Sequence, residues 1–323
     1  MKKEILYTLG VLLLFAGSFS SCNKELSVKK KSSDTTSTAG TVSTITNGYY
    51  TYIAADNSGN VYALRAYGAD TIYKIDPSGS KSTFYVPAQT MDNDTVVNHR
   101  LAYLTIDSVG NLYTVDYAGV SSVSVTEVGP TGTASTLYSN FIQANNATLQ
   151  QIAVNQGNFY YGDYLGIHKI AAGGSQSLLA TNNFSIFTIN KDGVIYYPTQ
   201  NPSGQFDIVQ LSTGGNKVVI AGPDRTDDLN GAKDVVFDPV VDLTTDRHNN
   251  IVIAEGSSEK ATIHVISSAG KVVELISTPF GHKDGPLSTA VIGVPFSIVT
   301  DASSNLYFSE LTVDPADIRK ITF

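Results

Sequence analysis

Hydrophobic and polar positions alternate through most of this chain, and the same short polar turn breaks the alternation again and again. In Thr105–Asp116, TIDSVGNLYTVD, apolar residues alternate up to Asp107, Gly110-Asn111 makes a tight turn, and Leu112, Tyr113 and Val115 carry the chain out. The pattern predicts a strand, a turn and a second strand ending on an acid. Related copies begin at YIAADNSGNVYALR (52–65), IAVNQGNFYYGD (152–163), FTINKDGVIYYPT (187–199), LTTDRHNNIVIAE (243–255) and IVTDASSNLYFSE (298–310). Aligned on the residue before the turn, they bring Asp56, Asp107, Asn155, Asn190, Asp246 and Asp301 into register, 51, 48, 35, 56 and 55 residues apart. Periods of this size mean solenoids, propellers or arrays.

Each copy continues into a predicted third strand that ends in glycine: TIYKIDPSG (71–79), SVSVTEVGPTG (122–132), GIHKIAAGG (166–174), FDIVQLSTGG (206–215) and ATIHVISSAG (261–270). Glycine there suits a turn needing positive φ. A fourth strand follows each (KSTFYV, TASTLYS, SQSLLA, NKVVIAG, KVVELIST), and four antiparallel strands per repeat make a β-propeller blade. The sixth copy stops at a third strand, ADIRKITF (316–323), where the chain ends. Its missing strand is predicted at the other end of the domain, where Gly40–Ile45 matches Gly132–Leu137 and Gly270–Leu275. The expectation is an all-β, six-bladed propeller whose last blade is completed by residues 40–46, which leaves no unpaired edge at the closure.

The form apolar-x-Asp-x-x-Gly-Asn-apolar-Tyr-apolar-x-Asp, followed by Ile-x-Lys-Ile-x-x-x-Gly, resembles the NHL-repeat six-bladed propellers. AGPDRTDDLNGAKDVVFDPVVDLTTD (221–246) and GHKDGPLSTAVIGVPFSIVTD (281–301) share that design, with a Gly-rich lead, an acidic loop and a proline before the inner strand. The resemblance covers residues 40–323 and implies the fold. It leaves activity open, since the family includes enzymes and protein-binding scaffolds. The chain departs from the pattern in its shortened third repeat, in Val194 where Asn is usual and in Val252 where the other copies carry Tyr.

The N-terminus changes the picture from a fold to an address. Residues 1–21 read as a secretory signal: Lys2 and Lys3, an apolar run too short for a membrane span, then small residues. Cys22 follows, and the junction resembles a bacterial lipoprotein signal in which the cysteine is lipidated; the alternative is an ordinary secretion signal beside an isolated cysteine. Residues 22–39, with the lipidated Cys22 and a Ser/Thr-rich stretch carrying Lys29–Lys31, read as a flexible tether. The expected location is the cell envelope, extracytoplasmic, with the membrane engaged through the lipid anchor. Cys22 is the only cysteine, so no intramolecular disulfide forms. The net charge of −8 becomes about −11 for residues 40–323, with 15 basic and 26 acidic residues, which excludes nucleic acid as a natural partner.

Candidate chemistry follows from the topology. Loops after the second and fourth strands share one face, where ligands enter such a fold. The second strands end at Arg65, Asp116, Asp163, Thr199, Glu255 and Glu310. Four acids on one rim suit Ca²⁺ or a polyol; alternatively each acid holds its own following loop through backbone N–H groups. Tyr117 and Tyr164 follow two of these acids and offer stacking surfaces for a sugar, whereas Tyr62, Tyr113, Tyr196 and Tyr307 share one repeat position and read as core. Residues 87–100, 222–240 and 278–295 are long loops, and His282 and Asp284 lie in the last of them. Asp227–Gly231 has a faint Ca²⁺-loop character without the full spacing. His168 and His264 share a third-strand position with Tyr73, Val209 and Arg319 and read as packing or sheet-surface residues; His248 sits in a first turn, and His99 and His282 are on the entrance side. Propeller lyases with a His cluster and lactonase-like members with a Glu-Asn-Asp metal set resemble this fold, but neither set can be assembled from the sequence.

The functional expectation is a cell-envelope lipoprotein whose propeller, without catalysis, binds a glycan or an envelope protein through Arg65, Asp116, Tyr117, Asp163, Tyr164, Glu255, Glu310, His282 and Asp284. The alternative is a metal-dependent propeller enzyme, a lactonase-like hydrolase or a lyase, acting on an extracytoplasmic substrate. A purely structural role in an envelope complex is the third possibility.

Overall fold

In five of the six blades the inner hairpin is set by one side chain, that of the residue before the turn. Asp107 Oδ1 accepts the N–H groups of Val109 (3.0 Å) and Asn111 (2.8 Å), and Oδ2 accepts the Asn111 amide (2.9 Å) and the Tyr113 hydroxyl (3.1 Å). Asp56 and Asp301 repeat the whole arrangement, with Tyr62 and Tyr307 in the place of Tyr113. These tyrosines are buried, as the repeat position predicts, and their hydroxyls are tied to the turn as well. Burial and the neighbouring Asp56 push the Tyr62 phenol up to about 12. The third copy uses a different device: Gln156 (φ 50°) and Gly157 (φ 72°) form a two-residue turn between the paired Asn155 and Asn158.

This computed structural model describes residues 40–65, 70–92, 95–118, 122–139, 149–181, 186–226, 235–310 and 317–323. The signal, Cys22, the tether and the Asp227–Gly231 loop lie outside them. The described residues build six blades of four antiparallel strands. Blade one runs from Tyr50–Ala55 to Lys81–Tyr85, blade two from His99–Ile106 to Ala134–Tyr138, and blade three from Gln151–Asn155 to Gln176–Ala180. Blade four runs from Thr188–Ile189 to Lys217–Ala221, and blade five from Val240–Thr245 to Val272–Pro279. Blade six takes Pro295–Thr300, Leu306–Glu310 and Ile318–Thr322 from the end of the chain and Thr41–Thr46 from its beginning.

The closure is the one the repeat pattern predicts. Val42 pairs with Ile321, which pairs with Leu306, which pairs with Thr300 beside the Asp301 turn; Thr46, Ile318, Ser309 and Ser297 form the matching line at the other end of the sheet. Val42 is fully buried in the cluster that joins blades five and six, with Val265, Leu275 and Phe308. Two of the long loops are more ordered than expected. Gly285–Pro286 adds a fifth strand beside Thr41 and Val42, and Thr90–Asp92 pairs with Thr95–Val97 as a small hairpin. In both, the chain satisfies its own backbone groups where water alone would have to.

The core lies between blades. The residue three before each first turn is Ile53, Leu104, Ile152, Phe187, Leu243 or Ile298, all at most 8% exposed. Each enters a different apolar cluster. Full burial of one such side chain contributes about 1.5–3 kcal/mol, so the ring is held by six repeats of one packing interaction. Because strand side chains alternate, the residue one step earlier is turned the other way.

Candidate functional site

Those earlier residues, four before each turn, are Tyr52, Tyr103, Gln151, Ile186, Asp242 and Ser297. All of them except Ile186 line a cavity of about 220 Å³ on the propeller axis, to which all six inner strands contribute. In four blades the inner strand slips register at this point, between Tyr50 and Ile53, Ala102 and Leu104, Val240 and Asp242, and Pro295 and Ser297. Bulges re-aim side chains, and Tyr103, inside one of them, has a φ of 58°.

Asp242 is the acid of this layer. Its Oδ1 accepts the Leu243 N–H (2.8 Å) and the Gln151 amide from blade three (3.1 Å); its Oδ2 accepts the Ile298 N–H from blade six (2.8 Å). Ser297 bonds it as well. Burial outweighs these donors and pushes the carboxyl up to about 7. No cation faces it among the described residues.

The opposite wall is aromatic. Tyr52 lies against Tyr103 with ring centroids 4.6 Å apart and against Phe296 at 5.4 Å. The Tyr103 hydroxyl donates to the Leu149 carbonyl. Outward from Tyr103 on the same strand, Arg100 stacks its guanidinium on Tyr117, 4.5 Å from the ring centroid. Burial and the nearby Tyr103 push Tyr117 up to about 12 against the pull of Arg100.

The rim acids of the sequence pattern stand at the same end of the sheets but in separate blades, each with a basic side chain of its own blade or the adjoining loop. Asp116 Oδ2 is 2.7 Å from His99 Nδ1, and Asp163 Oδ1 is 2.9 Å from His168 Nε2. Glu255 meets His264 Nδ1, and both oxygens of Glu310 accept from Arg319 at 3.1 Å. The loop-holding role is seen too, with a difference. Asp163 accepts from Leu165 and Gly166 in its following turn, whereas Glu255 and Glu310 hold the preceding loops through Asp238 N–H (2.8 Å) and Gly293 N–H (2.9 Å). His168 and His264 are therefore partners of rim acids, not mere packing residues. In blade four the acid has changed strands: Asp207, opposite Thr199, takes the Asp224 N–H.

Arg65 and Tyr164 are exposed. His282 and Asp284 are brought to Glu310 in a second cluster, at the closure. Arg319 Nη2 reaches Asp284 at 2.8 Å, while His282 lies 3.4 Å from Glu310 and 3.6 Å from Asp317. Asp284 also accepts the Thr44 N–H (2.9 Å), and Asp317 the Asn47 amide (3.0 Å), so this network pins the N-terminal strand. Burial raises the Asp284 carboxyl, but the Thr44 N–H and Arg319 outweigh it and leave it lowered; burial leaves Asp317 raised.

Neither cluster is a cation cage. The channel layer offers a single carboxylate, that of Asp242, where Ca²⁺ needs six to eight oxygens. Among the described residues no three His, Cys, Asp or Glu side chains are grouped to hold a metal. The Ca²⁺ that a ring of rim acids invites does not fit these residues.

No protein-family model matches the sequence, and no curated protein does. Solved structures share its fold. A protein of unknown function from Bacteroides thetaiotaomicron is 15% identical with a TM-score of 0.64, the match covering 88% of this chain and 76% of that one. A gluconolactonase from Xanthomonas campestris is 11% identical with a TM-score of 0.56, covering 87% and 88%. Regucalcin from Agrobacterium tumefaciens, a calcium-binding protein, is 12% identical with a TM-score of 0.52, covering 88% and 94%. At these identities the likeness is one of fold.

Proposed function

We propose that this protein is a cell-envelope lipoprotein whose propeller binds a small polyhydroxylated ligand at the mouth of its central channel. One observation carries the reading: the residues four before each turn gather a buried carboxyl, an amide and a hydroxyl (Asp242, Gln151, Ser297) opposite a wall of Tyr52 and Tyr103. Hydrogen-bonding groups facing aromatic rings are what a sugar needs, since it presents hydroxyls at its edges and C–H groups on its faces. The reading rests on this chain's own residues, because its likeness to a gluconolactonase and to a calcium-binding regucalcin reaches no further than the fold.

Isothermal titration with a panel of neutral and acidic sugars tests it. At least one should bind, and Asp242→Asn and Tyr52→Ala should each weaken it about tenfold or more. No heat with any member of the panel overturns the reading. The envelope part is tested apart from the ligand: Cys22→Ser should release the protein from membranes, and unchanged fractionation refutes the anchor.

A second reading, a hydrolase or lyase at the same mouth, has one observation in its favour. A carboxyl held near pH 7 in a cleft is suited to general acid–base work. Turnover of any sugar lactone that is lost in Asp242→Asn would select it.

A further inference from the structure

Around the mouth of the channel the rim acids are matched by bases of their own blades, as Asp116 with His99, Glu255 with His264 and Glu310 with Arg319. Arg65 and Arg100, from blades one and two, stand apart from this pairing. Both arginines are exposed, and among the described residues neither has an acid within ion-pair distance. This is unlike the other rim positions, where charges come in opposite pairs.

Arg100 is also placed. Its guanidinium carbon lies over the Tyr117 ring, 4.5 Å from the centroid, and it precedes Tyr103 by three residues on the strand that lines the cavity. A guanidinium stacked on a ring keeps its edge free for a planar anion, and a carboxylate is matched by two parallel N–H donors. The aromatic wall of Tyr117, Tyr103 and Tyr52 runs from Arg100 inwards towards the Asp242 side.

Building on the proposed sugar site, we propose that its ligand carries a carboxylate: a sugar acid, bound with its anionic end on Arg100 and its hydroxyls on Asp242, Gln151 and Ser297. An exposed cation of this kind favours the anion through charge-assisted hydrogen bonds, while a carboxyl that holds its proton near neutral pH limits the repulsion from the far side of the cavity.

The test is titration of the purified protein with glucuronate, galacturonate and gluconate beside glucose, galactose and glucitol. At least one acid should bind about tenfold or more tightly than its neutral counterpart, and 0.5 M salt should weaken the acid alone. Arg100→Gln should erase the preference without changing affinity for the neutral sugar, and Arg100→Lys should restore part of it. Equal binding of acid and neutral sugar, or a preference that survives in Arg100→Gln, overturns the carboxylate assignment and leaves the sugar site standing. Binding by none of the six overturns both. Arg100 is exposed, so the variants fold; an unchanged melting temperature verifies this.

Discussion

Asp242 and Glu255 stand on neighbouring strands of blade five, and the two carboxyls meet opposite environments. Glu255 is fully buried, meets His264 and holds the loop at Asp238. Asp242, buried as well, is met by backbone N–H groups, an amide and a hydroxyl from three different blades, with no cation among the described residues. The first arrangement recurs around the ring, as Asp163 with His168 and Glu310 with Arg319. The second occurs in one blade. A feature that four blades repeat answers a need those blades share, namely fixing their own loops. A residue that breaks the repeat at an axial position answers a need of the whole molecule.

The comparison can be broken most violently on the scaffold side. Deleting residues 40–46 strips blade six of its closing strand and uncovers Ile321 and Phe308, so the cooperative melt should be lost altogether; a wild-type melt would refute ring closure. Next in size is Arg319→Met, which leaves Glu310 charged and buried. Urea unfolding should show a loss of about 3–5 kcal/mol. Adding Glu310→Gln should recover much of it, since the pair is then gone together.

The third prediction concerns pH. The Asp242 carboxyl titrates at about 7 when folded, against 3.8 as its ordinary value, so the folded state holds the proton more tightly than the unfolded one. Its contribution is complete below about pH 4 and is lost as the pH rises through 7, a swing of up to about 4 kcal/mol. Wild-type stability relative to Asp242→Asn should therefore fall from pH 4 to pH 8, and a flat difference would sink the assignment. The smallest effect sharpens the contrast most. Asp163→Asn should cost about 1 kcal/mol or a little more and leave sugar affinity unchanged, whereas Asp242→Asn should reduce that affinity. Equal losses of affinity in the two variants would erase the distinction between rim and channel.

The fold was readable because its determinants are local. An aspartate before a turn closes its hairpin with its own side chain, so Asp56, Asp107 and Asp301 announce three hairpins by sequence alone, and the Gly40–Ile45 match to other fourth strands announces the closure. The rim pairing was also written in the chain, though less plainly. In three of the four blades whose second strand ends in an acid, blades three, five and six, the third strand carries His168, His264 or Arg319; in blade two that position is Thr126 and His99 meets Asp116 instead. Where it ends in Arg65 or Thr199, the same position holds Tyr73 or Val209. The channel layer is not legible in the sequence, because membership depends on counting back from a turn through a bulge, which no alternation of apolar residues reveals. Asp242 looks there like one more acid in an acidic passage. Its meaning comes from Gln151 and Ile298, 91 and 56 residues away.

The closing strand also sets which way the molecule looks. Thr41 and Val42 lie at the end of the sheet that carries the aspartate turns, while Thr46 is in line with Ser297 at the channel mouth. The described chain therefore begins at the base of the ring, on the face opposite the channel mouth. An anchor at Cys22, as proposed, would be joined to the turn-bearing face and would leave the channel mouth on the far side.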